Sequence, residues 1–183
     1  MKPGIIAATL VLASSVSATS YAPPKSKEVV STNGKFHLKV DAQTKIHEVN
    51  GSFANKFIPK WNFCHDVFGT DFFVSDNGET VVVVSWPFVA EPLLDEPAVV
   101  VYTRHGARRM YSYRELSKPR ALKRNDRGPA GEDWRVWRDT VATKDNIITI
   151  LVEGAAPQRI DLGSGRLLEK PQHGGTAPPP ARR

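Results

Sequence analysis

The residues of this 183-residue chain best equipped for chemistry lie in one short stretch, Trp61-Asn62-Phe63-Cys64-His65-Asp66, with Asp71 close behind. Two chemistries are open to them. A cysteine thiolate beside an imidazole base is the core of a covalent hydrolase, provided that a third group orients the base. His65, Asp66 and Asp71 together offer three nitrogen and oxygen ligands of the kind that hold a catalytic cation. Adjacent residues of an extended strand point to opposite faces, so Cys64 and His65 meet only if a turn or bulge intervenes. That geometry favours a structural role, with Trp61, Phe63 and Cys64 in the core and His65 and Asp66 in a polar turn. A small metal-dependent or cysteine/histidine hydrolase centred on residues 61–71 stands as the alternative.

Elsewhere the reactive side chains are scattered. The five histidines, at 37, 47, 65, 105 and 173, show no paired ligand spacing, and His47-Glu48 does not continue into H-E-x-x-H. The chain has no G-x-S-x-G, no P-loop and no G-x-G-x-x-G. Asp95-Glu96 and Glu132-Asp133 are carboxylate neighbours in Pro- or Gly-containing loops, where water solvates them. A single cysteine rules out an intramolecular disulfide and any zinc site built from four cysteines, or from two cysteines and two histidines. No cofactor is expected. The four tryptophans, Trp61, Trp86, Trp134 and Trp137, read as core. Trp134 and Trp137 fall on opposite faces if Trp134–Ala142 is one strand.

The elements that position these residues read as strands. Lys35–Val40 alternates so that Phe36, Leu38 and Val40 share a face, and Val81–Val84 reads as a strand covered on both sides. Asn33-Gly34 and Asn77-Gly78 each join two such runs, the cue for a hairpin with a type I′ turn. Residues 98–103 and 108–113 flank His105-Gly106 as a further hairpin, and residues 134–142, 147–153 and 157–162 continue the series. Helix is confined to one turn after Ser112, which has capping-box spacing to Glu115 and is stopped by Pro119.

The turns repeat. Ser31-Thr32-Asn33-Gly34 and Ser75-Asp76-Asn77-Gly78 stand 44 residues apart, and Thr143-Lys144-Asp145-Asn146 is a degenerate third copy, Asn146 taking the place of glycine. The second interval is 68 residues, and the surplus of 24 matches the length of a basic stretch, residues 104–127. A period near 44 residues with about four strands per unit is the signature of a propeller blade. On these turns, and on Ile160-Asp161-Leu162 followed by Gly165, the chain resembles the blades of secreted bacterial β-propeller proteins. The resemblance implies a fold element and carries no activity. About three blades are present, fewer than a closed propeller uses. The expected fold is therefore all-β: antiparallel hairpin repeats forming an incomplete propeller-like assembly, or a curled sheet or sandwich, with flexible ends.

Lys2, an apolar run from Ile5 to Val16 and small residues at Val16-Ser17-Ala18 mark residues 1–18 as a signal peptide cleaved after Ala18, with Ala22 a second site. The run is too short to span a bilayer. Residues 19–28 read as a linker, 29–169 as the β domain and 170–183 as a disordered Pro/Gly-rich tail. The protein is expected to be exported, periplasmic or extracellular, and not transmembrane after the signal is removed.

The net charge of +6 belongs to the ends and to one internal segment. Residues 104–127 carry nine cations against Glu115 and Asp126. Arg120, Lys123, Arg124 and Arg127 are the candidate contact for an anionic polymer or another envelope protein, weighed against a solvated loop. Nucleic acid is not expected, because no helix-turn-helix, zinc finger or stacking motif is present. Open sheet edges offer a route to an oligomer. The function that follows is an exported, non-catalytic binding or structural protein, with the hydrolase and an edge-pairing subunit of an envelope assembly as alternatives.

Overall fold

A strand that is apolar on both sides needs a neighbour on each, and the computed structural model supplies both. Val81, Val82, Val83 and Val84 are all fully buried, in the middle layer of a stack of three sheets. The structure describes residues 24–53, 56–67, 70–85, 88–90, 93–106, 108–117, 123–124, 134–153 and 155–168. The first sheet is β1 (Lys27–Val30), β2 (Phe36–Val40), β3 (Ile46–Phe53) and β4 (Lys56–Cys64), hydrogen-bonded in that order. The central sheet is β5 (Asp71–Val74), β6 (Thr80–Val84), β8 (Pro97–Thr103) and β9 (Arg108–Ser112). The last is β12 (Arg138–Lys144), β13 (Ile147–Val152), β14 (Gln158–Asp161) and β15 (Arg166–Leu168). Each is an antiparallel four-stranded meander, as a propeller blade is, and none closes on itself. The fold is all-β. Its one α-helix among the described residues is α1 (Tyr113–Leu116), and the capping box of Ser112 and Glu115 is formed.

The repeated turns are the first hairpin of each sheet, but their chemistry differs from the expectation. Asn33 and Asn77 do not adopt positive φ; only Gly34 (72°) and Gly78 (68°) do. Four residues form each loop. Asn33 Oδ1 accepts from the Lys35 amide at 3.0 Å, and Ser31 Oγ accepts from the Phe36 amide at 3.0 Å. Ser75 and Asn77 repeat the arrangement. The serine hydroxyl therefore takes the place of a ladder carbonyl, and the asparagine serves as an acceptor inside the loop. The two-residue type I′ turn appears in the copy without glycine, where Asp145 (51°) and Asn146 (58°) are both left-handed and Lys144 pairs with Ile147. The three turns touch. Asn33 donates through its amide and Nδ2 to Oδ1 and O of Asp76, each at 2.8 Å, and the Asp76 amide donates to Asn146 Oδ1 at 2.9 Å.

The pair that closes each hairpin loop is Ser31 with Phe36, Ser75 with Thr80 and Lys144 with Ile147, the last loop being two residues shorter. By this pairing Phe36, Thr80 and Ile147 are equivalent, and the second strand of each sheet alternates between two faces that can be called front and back. Leu38 and Val40, on the front of the first sheet, pack with Val81 and Val83, on the back of the central one, together with Val49, Phe72 and Val74. Val82 and Val84, on the front of the central sheet, pack with Ile148 and Ile150, on the back of the last, together with Val99, Val101 and Ile160. The stack is thus head-to-tail, front on back twice, with a core in each gap. Among the described residues, no sheet neighbours the back of the first sheet or the front of the last.

Two expectations need correction. The surplus residues do not form one basic insertion. Arg104, Arg108 and Arg109 belong to the β8–β9 hairpin of the central sheet. The additional chain enters between β6 and β8, as β7 (Phe88–Ala90), and after β9, as α1, β10 (Lys123–Arg124) and β11 (Trp134–Val136). Strands β10, β11 and β7 pair as a separate small sheet. Nor is Trp134–Ala142 one strand: Trp137 breaks it between two sheets and is fully buried against Tyr113. Strand β1 takes in Lys27 and Glu28, the last two residues of the 19–28 span. The signal peptide with its cleavage sites at Ala18 and Ala22, and the 170–183 tail, lie outside the described residues.

Candidate functional site

At His65 the chain leaves the end of β4. Its amide donates to Lys45 O at 3.0 Å, holding the exit against the β2–β3 turn. From there the polar residues of the 61–71 segment part company. The His65 ring bonds Tyr102 Oη through Nδ1 at 2.7 Å. Asp66 pairs with Lys45 at 2.8 Å on the surface, both side chains about half exposed, and the carboxylate raises the lysine's pKa. Asp71, at the start of β5, pairs with Arg138 at 2.8 Å. Cys64, expected in the core, is an exposed free thiol. Phe63 points to the core of the front face, so strand alternation turns Cys64 to the back, away from the His65–Tyr102 contact. Among the described residues no three of His, Cys, Asp and Glu come together around a cation-sized point.

Two buried polar residues organise this end of the stack. Arg138 is 6% exposed, donates from Nε to Ser85 O at 2.9 Å and from Nη2 to Asp71, and lies over the Trp137 ring. His47 is fully buried between Phe63 and Phe72. Its Nδ1 accepts from the Asp41 amide at 3.2 Å and its Nε2 meets His65 O at 3.0 Å. An amide only donates and a carbonyl only accepts, so the ring is neutral with the proton on Nε2. Burial holds its pKa below the ordinary value. Sequence reasoning missed both residues. Alternation along β3 puts His47 on the face of Val49 and was the available signal; nothing local distinguishes Arg138 from the other arginines.

A cavity of about 250 Å³ opens beside this network, lined by His65, Ser85, Glu96 and Tyr113 among apolar residues. Burial raises the Tyr113 pKa, keeping the phenol protonated. The cavity walls are hydrogen-bonded to one another: Ser85 Oγ donates to Pro97 O at 3.0 Å and the Glu96 carbonyl accepts from the Tyr113 amide at 3.2 Å.

The basic candidates cannot be assembled in the same way. Lys123 and Arg124 form β10, paired with Val136 and Arg135, while Arg120 and Arg127 lie outside the described residues.

The uncovered faces of the stack are the more extensive feature. The back of the first sheet holds a groove of about 610 Å³ lined by Glu28, His37, Lys39, Glu48, Asn50 and Phe57. Phe57 is 58% exposed and stacks edge-on to His37, which pairs with Glu28 at 2.6 Å. On the front of the last sheet Leu151 is 43% exposed, although its equivalents Val40 and Val84 are fully buried. No helix among the described residues is long and apolar enough to cross a membrane. No family model matches the chain and no curated protein matches it.

Proposed function

We propose that this is an exported, non-catalytic binding or structural protein that works through the end faces of its sheet stack, as a subunit of an envelope assembly. The observation that carries this is the contrast among equivalent positions: residues that are wholly buried in the two internal contacts recur exposed at the ends, Leu151 in place of Val40 and Val84. Large apolar groups stand exposed on these faces, Val30, Ile46 and Phe57 on the first sheet and Leu151 on the last, and exposed apolar groups rimmed by polar ones mark interaction sites. The contact is made by faces and not by the strand edges alone, because the side chains that seal the internal gaps are those on the faces. The hydrolase alternative draws no support from the 61–71 segment, whose Cys64, His65, Asp66 and Asp71 engage separate surroundings. The test is a photoreactive phenylalanine analogue placed at position 57, at 151, or at the exposed turn residue Gln43, in the full chain expressed in its own cells. Adducts in the envelope fraction from 57 and 151 and not from 43 are expected; equal yields from all three, or none, would overturn the reading.

A further inference from the structure

Resting on that reading, we infer that the partner of each end face is a second copy of this chain, the front of one molecule's last sheet seating on the back of the other's first sheet. The chain already makes this contact twice. Front meets back between the first and central sheets and again between the central and last, with equivalent positions in equivalent roles: Leu38 and Val40 as Val82 and Val84, Val81 and Val83 as Ile148 and Ile150. A stack that propagates head-to-tail ends in two different faces, and each is the complement of the other. Such an interface is heterologous, and it either closes a ring or extends a filament. Two copies of three sheets give six, within the range of sheets that close around an axis, so the two equivalent contacts are satisfied in one dimer.

Chemistry at the two faces agrees. The groove at the back of the first sheet is lined by Glu28 and Glu48 with Lys39 and Lys27. The Lys27 ammonium is turned to the other face, bonded to Thr70 O at 3.2 Å and lying over the Phe72 ring, which leaves an excess of one negative group on the back. On the front of the last sheet, register places Lys144 opposite Ile147, Arg159 opposite Thr149 and Arg166 opposite Asp161, an excess of positive charge. Both faces also expose apolar groups: Phe57 in the groove, and Leu151 at the position whose equivalents fill the internal gaps. Leu151 is the side chain that seats on the back of the first sheet.

Sedimentation equilibrium of the mature full chain tests this, with Phe57→Asp blocking only the back and Leu151→Asp only the front. Both residues are exposed, so circular dichroism should show unchanged folds; Arg159→Glu serves as a second front variant that removes no apolar area. Wild type is expected to be a dimer and each variant a monomer. An equimolar mixture of Phe57→Asp and Leu151→Asp should regain a dimer, because the intact front of one meets the intact back of the other. A monomeric wild type, variants that remain dimeric, or a mixture that stays monomeric would overturn the inference. A monomeric wild type means that the polar back is a solvent-facing cap of the kind that ends repeat arrays. If position 57 still cross-links to a different envelope protein in that case, the proposed function stands and only the second copy is lost.

Discussion

At the scale of single residues, the buried polar groups set the conditions under which the stack holds. His47 is neutral in the fold and ordinarily titrates at 6.5. Because burial lowers its folded value, the unfolded chain binds more protons between the two, and stability falls as pH drops below 6.5 toward the folded value. The loss is at most about 1.4 kcal/mol per pH unit. Denaturant midpoints measured at neutral and mildly acidic pH should show this decline, and His47→Phe should flatten it. That variant should also be less stable at neutral pH by about 1–3 kcal/mol, since the Asp41 amide and the His65 carbonyl lose their partner. Arg138→Met should cost about 3 kcal/mol, near the lower end for breaking a buried pair, because Asp71 keeps access to water. Chemical denaturation measures it, and Arg138→Met should leave the association state unchanged.

The turns and strands carry predictions of their own. Gly34, Gly78 and Gly106 all have positive φ, but a Cβ on Gly78 would stand 2.1 Å from the Phe36 ring of the neighbouring sheet, whereas Gly34 and Gly106 have open space. Gly34→Ala and Gly106→Ala should each cost about 1–2 kcal/mol for the left-handed backbone alone. Gly78→Ala should cost a further ~1–3 kcal/mol for overpacking, and Phe36→Leu in the Gly78→Ala background should recover part of it in a double-mutant cycle. Val83 is the equivalent of exposed Lys39, so Val83→Lys puts an unpaired ammonium between two sheets. It should abolish the cooperative unfolding transition seen by circular dichroism.

Much of this element level was legible from the sequence. The alternation of Phe36, Leu38 and Val40, the four valines of β6, the Ser112–Glu115 capping box and the equivalence of the first two turns all rest on local periodicity or short-range hydrogen bonding, and the structure contains them. The third turn keeps the place of the others but is two residues shorter. The turn type was misread because Asn-Gly signals a tight turn only when both residues go left-handed, and here serine and asparagine side chains stabilise a longer loop instead. The break at Trp137 and the pairing of β7 with β11 depend on contacts between distant segments, to which strand periodicity is blind. Among the candidate site residues, opposite-face placement of Cys64 and His65 followed from alternation, whereas the exposure of Cys64 and the Asp71–Arg138 pair depend on which strands lie at an edge and which meet across the stack.

For the whole molecule, the ordering of the sheets predicts an ordering of stability. Among the described residues the central sheet is covered on both faces and the others on one, so amides of β6 and β8 should exchange with solvent only through global unfolding. Those of β1 and β15 should exchange through local opening, as native-state hydrogen exchange would show. The same ordering defines the central claim, that the two end faces are complements. Zero-length carbodiimide coupling tests it directly in the wild-type protein. With sheets packed about 10 Å apart, Glu48 on the back of the first sheet and Lys144 on the front of the last stand on opposite sides of the central sheet within one chain. The expected product is an amide bond between Lys144 and a carboxylate of the back, Glu28 or Glu48, found in the dimer band and absent from the monomer band. A dimer joined only through back-to-back or front-to-front pairs, or no dimer band at all, would contradict it.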